Sequence, residues 1–203
     1  MGAGEYSGLI KPEPEDYIIA ADGGYELLTS IGIMPDLVVG DFDSLGRVPE
    51  HPNVLAYPAE KDDTDMMIAV NQGIERGYNV FIIDGALGGR LDHTVANIQT
   101  LTHLTHRGAQ GVILGHDMCI TAVREGTVCF MPGAEGTVSV FSAGDNADGV
   151  TLKGLKYTLD NASLSFDNPI GVSNEFIGAE AIIAVKKGTL IIIWNGLTAQ
   201  LRF

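Results

Sequence analysis

Acidic side chains in the first half of the chain form four clusters whose residue types could bind a metal ion and phosphate. Mg²⁺ prefers oxygen ligands and usually bridges a few carboxylates to the phosphates of a substrate. A single pair such as Asp41 and Asp43 is more simply explained as two solvated turn residues, so only the whole set indicates a metal site. The clusters are Asp22-Gly23-Gly24, Gly40-Asp41-Phe42-Asp43-Ser44, Lys61-Asp62-Asp63-Thr64-Asp65 and Asp84-Gly85-Ala86-Leu87-Gly88-Gly89-Arg90-Leu91-Asp92-His93.

The spacing inside these clusters favours a site for metal and phosphate. Side chains alternate faces in an extended segment, so Asp41 and Asp43 are predicted to point the same way, with Cα atoms roughly 6 to 7 Å apart. Asp65 would lie in the first turn of a helix, where the free N–H groups favour a carboxylate even without a metal. Lys61 provides the cation that a phosphate-transfer site needs for polyphosphate.

The fourth cluster contains a glycine-rich run between a predicted strand and a predicted helix. Such a run lets the backbone approach phosphate closely, and the helix start that follows can hold an anion. Arg90 could clamp phosphate oxygens with its planar guanidinium. The run is neither a Walker A loop nor a G-x-G-x-x-G dinucleotide loop, and alone it would most often be a tight turn.

The first 125 or so residues alternate short apolar runs with helix-like segments, which predicts a parallel sheet with helical crossovers. Ligand chemistry is then expected at the carboxyl ends of the strands, where the four clusters would meet. The strands are predicted at residues 17–21, 37–39, 80–83 and 112–114. The helices are predicted at residues 25–31, from Asp63 or Thr64 to about Gly77, and at 91–106 with an inner stripe of Leu91, Val95, Ile98 and Leu101.

From about residue 125 onward the pattern changes to strands and turns without a helix. Runs at residues 128–131, 137–141, 151–155, 162–166, 181–185 and 189–194 are separated by glycine-, proline- and asparagine-containing turns. This predicts an antiparallel sandwich or barrel. The domain boundary is expected between Val123 and Val128, which gives domains of residues 1–125 and 126–203.

Composition limits the class of protein. A net charge of −14 argues against a nucleic-acid partner, which needs a basic surface. The two cysteines, Cys119 and Cys129, lack zinc-ligand spacing and are expected to be buried thiols in a reducing cytoplasm. No apolar run approaches the ~20 residues that span a bilayer, so neither export nor a membrane location is expected.

Taken together, the four clusters and the Pro35-Asp36 turn resemble, in order and spacing, the motif series of the thiamine pyrophosphokinase family. The resemblance implies an α/β fold with a Rossmann-like parallel-sheet N-terminal domain, followed by an all-β antiparallel sandwich as C-terminal domain. It also implies an Mg²⁺-dependent enzyme that converts ATP and thiamine to AMP and thiamine diphosphate. The family is expected to form a homodimer with active sites between subunits.

Carried onto the matching positions, the resemblance implies the site residues. The catalytic carboxylates would be Asp41, Asp43, Asp65 and Asp92, the first three of them metal ligands. The nucleotide and its phosphates would be bound by Asp22, Lys61, Gly88, Gly89, Arg90 and His93. Thiamine would be contacted by Ser173, Asn174 and Trp194.

Trp194 has two interpretations. By the resemblance it stacks on thiamine across the dimer, because a flat cationic heterocycle favours an aromatic face. A core tryptophan on a sandwich strand is an equally simple explanation.

Two other functions stay open on the sequence. Residues 39–43 also resemble the strand and acidic pair of a haloacid dehalogenase-like phosphatase. A non-catalytic nucleotide- or thiamine-binding module on the same fold is the second alternative. One departure from the family is also visible, because the chain starts at Met1-Gly2-Ala3-Gly4 without the apolar strand that usually precedes a Gly-rich turn. The strand count of the sheet is therefore open.

Overall fold

The computed structural model describes residues 1–43, 45–195 and 201–202. Its fold is mixed α/β, with three helices and several sheets in these residues. The chain divides into two compact units, Met1–Thr100 with Ile113–His116, and Leu101–Val112 with Asp117–Phe203. No helix in the described part of the chain is both long and apolar enough to cross a membrane.

The first unit contains a parallel sheet of three short strands. They are β1 (Ile19–Ala21), β2 (Leu37–Gly40) and β3 (Val54–Ala56), in the order β1-β2-β3. The register aligns Ala21 with Val39, so β1 and β2 end side by side. Residues following the two strands are thereby brought to one edge of the sheet, as the alternating pattern predicts.

Three helices follow strands of the first unit: α1 (Gly24–Ser30), α2 (Asp65–Glu75) and α3 (Leu91–His106). The strand between α2 and α3 is β4 (Val80–Ile83). Thr64 caps α2, because its hydroxyl accepts a hydrogen bond from the Met67 N–H at 3.2 Å. A capped start places Asp65 in the first helical turn, as its position in the sequence predicts.

The predicted inner stripe of α3 is wrong in its first half. The Leu91 side chain is 76% exposed and that of Val95 is 48% exposed, whereas Leu101 is buried. The helical period shows which residues share a face, but it does not show which turns of that face another element covers.

A small core supports the end of β2. Phe42, just after the strand, is buried together with Ala20, Leu28 and Val38. β1, β2 and α1 each contribute to this cluster, so the chain after β2 is anchored to the sheet by an aromatic side chain.

The amino terminus lies between β1 and the residue after β4. The Met1 amino group donates to the Ile19 carbonyl at 2.9 Å, and the Gly2 N–H donates to the Asp84 carbonyl at 2.7 Å. Burial lowers the pKa of the Met1 amine to about 6, against the opposing effect of the Asp84 charge. No strand precedes β1 in the described residues.

Met1 also lines a cavity of about 530 Å³, whose walls are mainly apolar side chains of β1, α2 and β4. In the described part of the chain, β1 and β4 are each the last strand of their sheet, so each presents an edge.

The second unit contains the last part of α3, residues 101–106, and is otherwise built of strands, since no helix follows α3 in the described residues. One sheet has the order β10-β9-β12-β7-β14, and the other contains the neighbours β11-β8-β13-β6-β5. Their pairings from β6 onward are antiparallel. The strands are β5 (Gln110–Leu114), β6 (Met118–Arg124), β7 (Thr127–Phe130), β8 (Thr137–Ser142), β9 (Asn146–Lys153), β10 (Leu159–Ser165), β11 (Asn174–Glu175), β12 (Ala181–Ala184), β13 (Thr189–Asn195) and β14 (Leu201–Arg202).

Candidate active site

The segment after β2 carries Asp41 and Asp43 on either side of an anchored phenylalanine. Phe42 has φ of 58°, a left-handed conformation that is rare for an aromatic residue. The prediction of an extended segment is therefore wrong at this position, because burial of the Phe42 ring turns the backbone. Asp43 nevertheless lies close to Asp41, to which its N–H donates at 3.2 Å. Ser44, the last residue of this motif, lies outside the described residues.

Asp22 joins this pair from the end of β1. One carboxylate oxygen from each of Asp22, Asp41 and Asp43 lies within 4.8 Å of the others. The side-by-side ends of β1 and β2 account for this, together with the left-handed backbone of Asp22 at φ 47° and its N–H bond to the Val39 carbonyl. Such a group of oxygens can hold one hard cation.

Lys61 lies between this group and Asp65. Its ammonium donates to Oδ2 of Asp41 at 2.5 Å and lies 3.2 Å from Oδ1 of Asp65. The three side chains are only 11, 14 and 22% exposed, in the order Lys61, Asp41 and Asp65. Lys61 thereby connects the carboxylates after β2 with the carboxylate at the start of α2.

The pKa values of these groups show an uneven balance of charge. The hydrogen bond from Lys61 holds the pKa of Asp41 below its ordinary value. Burial opposes the charge of Lys61, but the hydrogen bond to Asp41 and the negative charge of Asp65 raise its pKa overall. Burial raises the pKa of Asp65 in spite of Lys61, and the charges of Asp41 and Asp22 add to this. One ammonium therefore does not neutralise the site.

The donor set fits a magnesium ion. Oδ1 of Asp65 is buried and accepts no hydrogen bond within the described residues, although the Lys61 ammonium is near. A buried oxygen in this state costs free energy unless something pairs with it. Four carboxylates, Asp22, Asp41, Asp43 and Asp65, face one ammonium, and a divalent cation that binds oxygen would complement them.

The glycine-rich run after β4 is held at several points. Gly85, Gly88 and Gly89 have φ of 65°, 81° and 65°, which favours glycine. Between them, Ala86 is buried and its carbonyl accepts a hydrogen bond from Nδ2 of Asn97 at 2.7 Å. The loop is therefore tied to α3, which begins directly after it.

Arg90 and Asp92 form a separate pair at the end of this loop. Nε and Nη2 of Arg90 donate to the two Asp92 oxygens at 3.1 and 2.6 Å, and the His93 N–H also donates to Oδ1 of Asp92. The Arg90 hydrogen bonds lower the pKa of Asp92 to about 2. Both side chains are well exposed. Among the described residues, neither is in ion-pair contact with the four carboxylates.

The predicted thiamine contacts lie in the second unit. Ser173 is exposed, whereas the Asn174 side chain is buried and bonds to both the N–H and the carbonyl of Tyr157. Trp194 is 4% exposed and packs edge-on against Phe130, with ring centroids 5.2 Å apart. In this chain the tryptophan therefore has the position of a core residue.

From the sequence, no supporting role was assigned to the residues that hold the site in place. Phe42 anchors the acidic pair, Asn97 ties the glycine loop, and Asp84 is fully buried with Ser7 as its partner. A lone acidic residue directly after an apolar strand was a signal for Asp84. Its partner lies 77 positions away, and no local pattern points to it.

Two family models match the chain. The model described as "Thiamin pyrophosphokinase, catalytic domain" matches residues 12–113, and that described as "Thiamin pyrophosphokinase, vitamin B1 binding domain" matches residues 127–190. The four carboxylates, Lys61 and the glycine loop all lie within the first match.

Individual proteins that resemble the chain in sequence and in structure belong to the same family as these models. The chain is 29% identical to thiamine pyrophosphokinase of Bacillus subtilis, over 86% of this chain and 85% of the relative. The crystal structure of the B. subtilis enzyme superposes with a TM-score of 0.83 at 27% identity and covers 97% of each chain. A thiamin pyrophosphokinase family protein from Enterococcus faecalis superposes with a TM-score of 0.81 at 27% identity, covering 96% of each chain. The chain therefore belongs to the thiamin pyrophosphokinase family.

Proposed function

We propose that this chain is an enzyme that transfers a pyrophosphoryl group from ATP to the hydroxyl of thiamine, giving thiamine diphosphate and AMP. The observation that carries the proposal is the meeting of Asp22, Asp41 and Asp43 beside the Lys61–Asp65 pair. Membership of the thiamin pyrophosphokinase family supports this choice of reaction. The site contains the charged groups that could bind the metal ion and the phosphates of ATP.

In the proposed reaction, the thiamine hydroxyl oxygen forms a bond to the β-phosphorus of ATP. The bond from that phosphorus to the oxygen that bridges it to the α-phosphorus breaks, AMP leaves with that oxygen, and the proton of the thiamine hydroxyl is released to the surrounding water. Asp41, Asp43 and Asp65 would hold Mg²⁺, with Asp22 beside them, and the ion would neutralise phosphate charge. Lys61 would contact phosphate oxygens. Catalysis is then mainly positioning and charge neutralisation, as is usual for phosphoryl transfer.

The roles of the glycine loop and of the second unit are part of the same proposal. Gly88, Gly89, Arg90 and His93 would bind the ATP phosphates, and Asp92 would be a further catalytic carboxylate beside them. The planar fork of Arg90 already makes a two-point contact with Asp92, the geometry that it would use on phosphate oxygens.

Ser173, Asn174 and Trp194 would contact thiamine. Asn174 and Trp194 both align with Val138 of β8, from the two sides of that strand, so their side chains lie on one face of the sheet. If Trp194 stacks on thiamine, Trp194→Ala raises the KM for thiamine and leaves the KM for ATP unchanged. A loss of stability alone would leave Trp194 as a core residue.

A Rossmann-like domain of residues 1–125 and an antiparallel sandwich of residues 126–203 are the proposed architecture. The parallel β1-β2-β3 sheet and the antiparallel strands from β6 onward support it. The two family matches end and begin on either side of residue 125.

A homodimer in the cytoplasm completes the proposal. Exposed apolar side chains of the second unit support an interface there, since such residues mark contact surfaces when they cluster; they are Tyr157, Phe166, Ile170, Val172 and Ile177. Cys119 and Cys129 form no disulfide bond in the described part of the chain, which suits a reducing compartment.

Two other functions give different products. A phosphatase of the haloacid dehalogenase type would pass through an aspartyl-phosphate at Asp41 and release inorganic phosphate. A non-catalytic module would bind ATP or thiamine without product. The match to the catalytic-domain model and to a thiamine pyrophosphokinase favours transfer over the phosphatase. Lys61, held between Asp41 and Asp65, favours transfer over the non-catalytic module, because binding alone does not need so many charges in one place.

The deciding experiment is incubation of the protein with ATP, MgCl₂ and thiamine, with AMP and thiamine diphosphate separated by chromatography. We expect both products in equal amounts, and Asp43→Asn should reduce turnover about 100-fold or more, as expected when a positioned charge is lost. Asp62→Asn, an exposed neighbour of Lys61, is the matched control and should keep turnover. Equal turnover of Asp43→Asn and wild type would contradict the proposed site.

A further inference from the structure

Asp84 is a fully buried carboxylate outside the proposed metal site. Its Oδ1 accepts hydrogen bonds from the Ser7 N–H at 2.9 Å and from the Gly85 N–H at 2.6 Å, and its Oδ2 accepts from the Ser7 hydroxyl. Ser7 is also buried, at 7% exposed. A buried carboxylate is costly unless it is well bonded, so these three donors hold Asp84 and Ser7 to one arrangement.

The Ser7–Asp84 pair closes a set of backbone contacts between the first residues and the glycine loop. The Gly4 N–H donates to the Gly85 carbonyl at 2.7 Å, and the Glu5 N–H donates to the Leu87 carbonyl at 2.8 Å. A Cβ added at Gly4 would overlap the Leu87 carbonyl, and one at Gly85 would overlap Gly2. The two segments can therefore lie this close only because these positions are glycine.

The contacts fix the glycine loop on one side, and α3 fixes it on the other. Asn97 holds the Ala86 carbonyl, and the Arg90 carbonyl accepts the Thr94 N–H at 3.2 Å in the first turn of α3. Between these fixed points lie Gly88 and Gly89, which have left-handed backbones and are exposed. Loss of the Ser7–Asp84 contact would therefore increase the mobility of residues 85–90.

We propose that Ser7 and Asp84 are positioning residues, which hold residues 85–90 in the conformation that receives the polyphosphate of ATP. The inference rests on the proposed function, since it assigns the loop to the phosphates. Neither residue touches the nucleotide; both act through the backbone of Gly85 and, along the loop, on Arg90.

The test compares Ser7→Ala with Thr121→Ala. Thr121 is equally buried, and its hydroxyl donates to the Gly111 carbonyl at 2.7 Å, so its loss removes a buried hydroxyl bond far from the loop in sequence. Three quantities are measured: amide hydrogen exchange of residues 85–90, ATP affinity in MgCl₂ by calorimetry, and the KM for ATP and for thiamine.

We expect Ser7→Ala to speed exchange in residues 85–90 about tenfold and to weaken ATP binding and raise the KM for ATP by a similar factor. The KM for thiamine should not change. Thr121→Ala should lower stability without any of these effects. Asp84→Asn, which keeps the side-chain shape, should change the exchange rate, the ATP affinity and the KM for ATP in the same directions as Ser7→Ala does. The double variant Ser7→Ala/Asp84→Asn should be little worse than either single variant, because both substitutions disrupt the same Ser7–Asp84 contact.

The outcomes separate the two proposals. If wild type binds ATP but forms no thiamine diphosphate, the proposed function fails, and hydrogen exchange with ATP affinity still decides the positioning role. If wild type is active and Ser7→Ala leaves both exchange and ATP affinity unchanged, the positioning role is overturned. The same holds if Thr121→Ala reproduces the effects, since they would then follow from lost stability. Should Asp84→Asn fail to fold, Ser7→Ala alone carries the test.

Discussion

Replacement of Asp65 by Asn should make the protein more stable at neutral pH while it impairs the site. Burial raises the pKa of Asp65, so the folded state binds its proton more tightly than the unfolded state does. The ionised carboxylate therefore costs folding free energy at pH values above its folded pKa. As the pH falls toward the ordinary range of Asp, about 4, the group becomes neutral and the cost disappears.

The size of the gain follows from the contacts of Asp65. Its buried Oδ1 accepts no hydrogen bond in the described part of the chain, a state that costs about 1 to 3 kcal/mol, and more when the group is charged. Asn loses the favourable charge in the first turn of α2, about 0.3 to 1 kcal/mol. It also loses the 3.2 Å ion pair with Lys61, whose effect on the pKa of Asp65 is smaller than that of burial. Lys61 keeps its 2.5 Å hydrogen bond to Asp41. The net expectation is a gain of about 1 kcal/mol at pH 7.5.

The assay is urea unfolding of wild type and Asp65→Asn at pH 7.5 and at about pH 4, without and with MgCl₂. The gain should be present at pH 7.5 and nearly absent at the lower pH, and MgCl₂ should stabilise wild type more than the variant. Asp63→Asn, exposed and two residues earlier, is the control and should change stability by less than about 0.5 kcal/mol. A less stable Asp65→Asn at pH 7.5, or an equal gain at both pH values, would refute the reasoning.

Three further results are expected. Lys61→Met should move the acid limb of the pH profile of kcat/KM to higher pH, because the Lys61 hydrogen bond holds the pKa of Asp41 down; an unmoved limb would contradict this. Phe42→Ala should cost about 3 to 5 kcal/mol in urea unfolding and abolish stabilisation by MgCl₂, whereas Leu28→Ala, from the same core, should lose stability and keep the MgCl₂ effect. Arg90→Lys should raise the KM for ATP about tenfold or more, the worth of one charge-assisted hydrogen bond, with the KM for thiamine unchanged.

Local signals in the sequence predicted the elements that carry the site. The bounds of α3 and the Thr64 cap of α2 follow from helical spacing and capping chemistry, which depend on near neighbours only. β3 was not predicted, because its three residues lie between Pro52-Asn53 and Pro58, whereas the equally short β1 belongs to an apolar run of five residues, 17–21. The exposure of Leu91 could not be predicted either, since it depends on what covers the helix.

The acidic residues of all four clusters were predicted to meet, and the structure brings only part of this set together. Asp22, Asp41, Asp43 and Asp65 come together as expected from strands that end at one edge. The turn at Phe42 was not predictable, because it depends on a buried ring in a core formed by other elements. Asp92 pairs with Arg90 instead, an interaction between residues two positions apart that the motif spacing does not distinguish from metal binding.

The open edge of β4 makes the protein sensitive to concentration. Among the residues that the structure describes, β4 is the last strand of its sheet, and Val80 and Ile82 on it expose 58 and 56% of their surface. The backbone N–H and C=O groups along the edge of such a strand can pair with an extended segment of another molecule. Concentrated samples should therefore associate through added strands. Val80→Lys should reduce this association, because a charge on the edge strand opposes strand pairing. The substitution does not touch the carboxylates that contact Lys61.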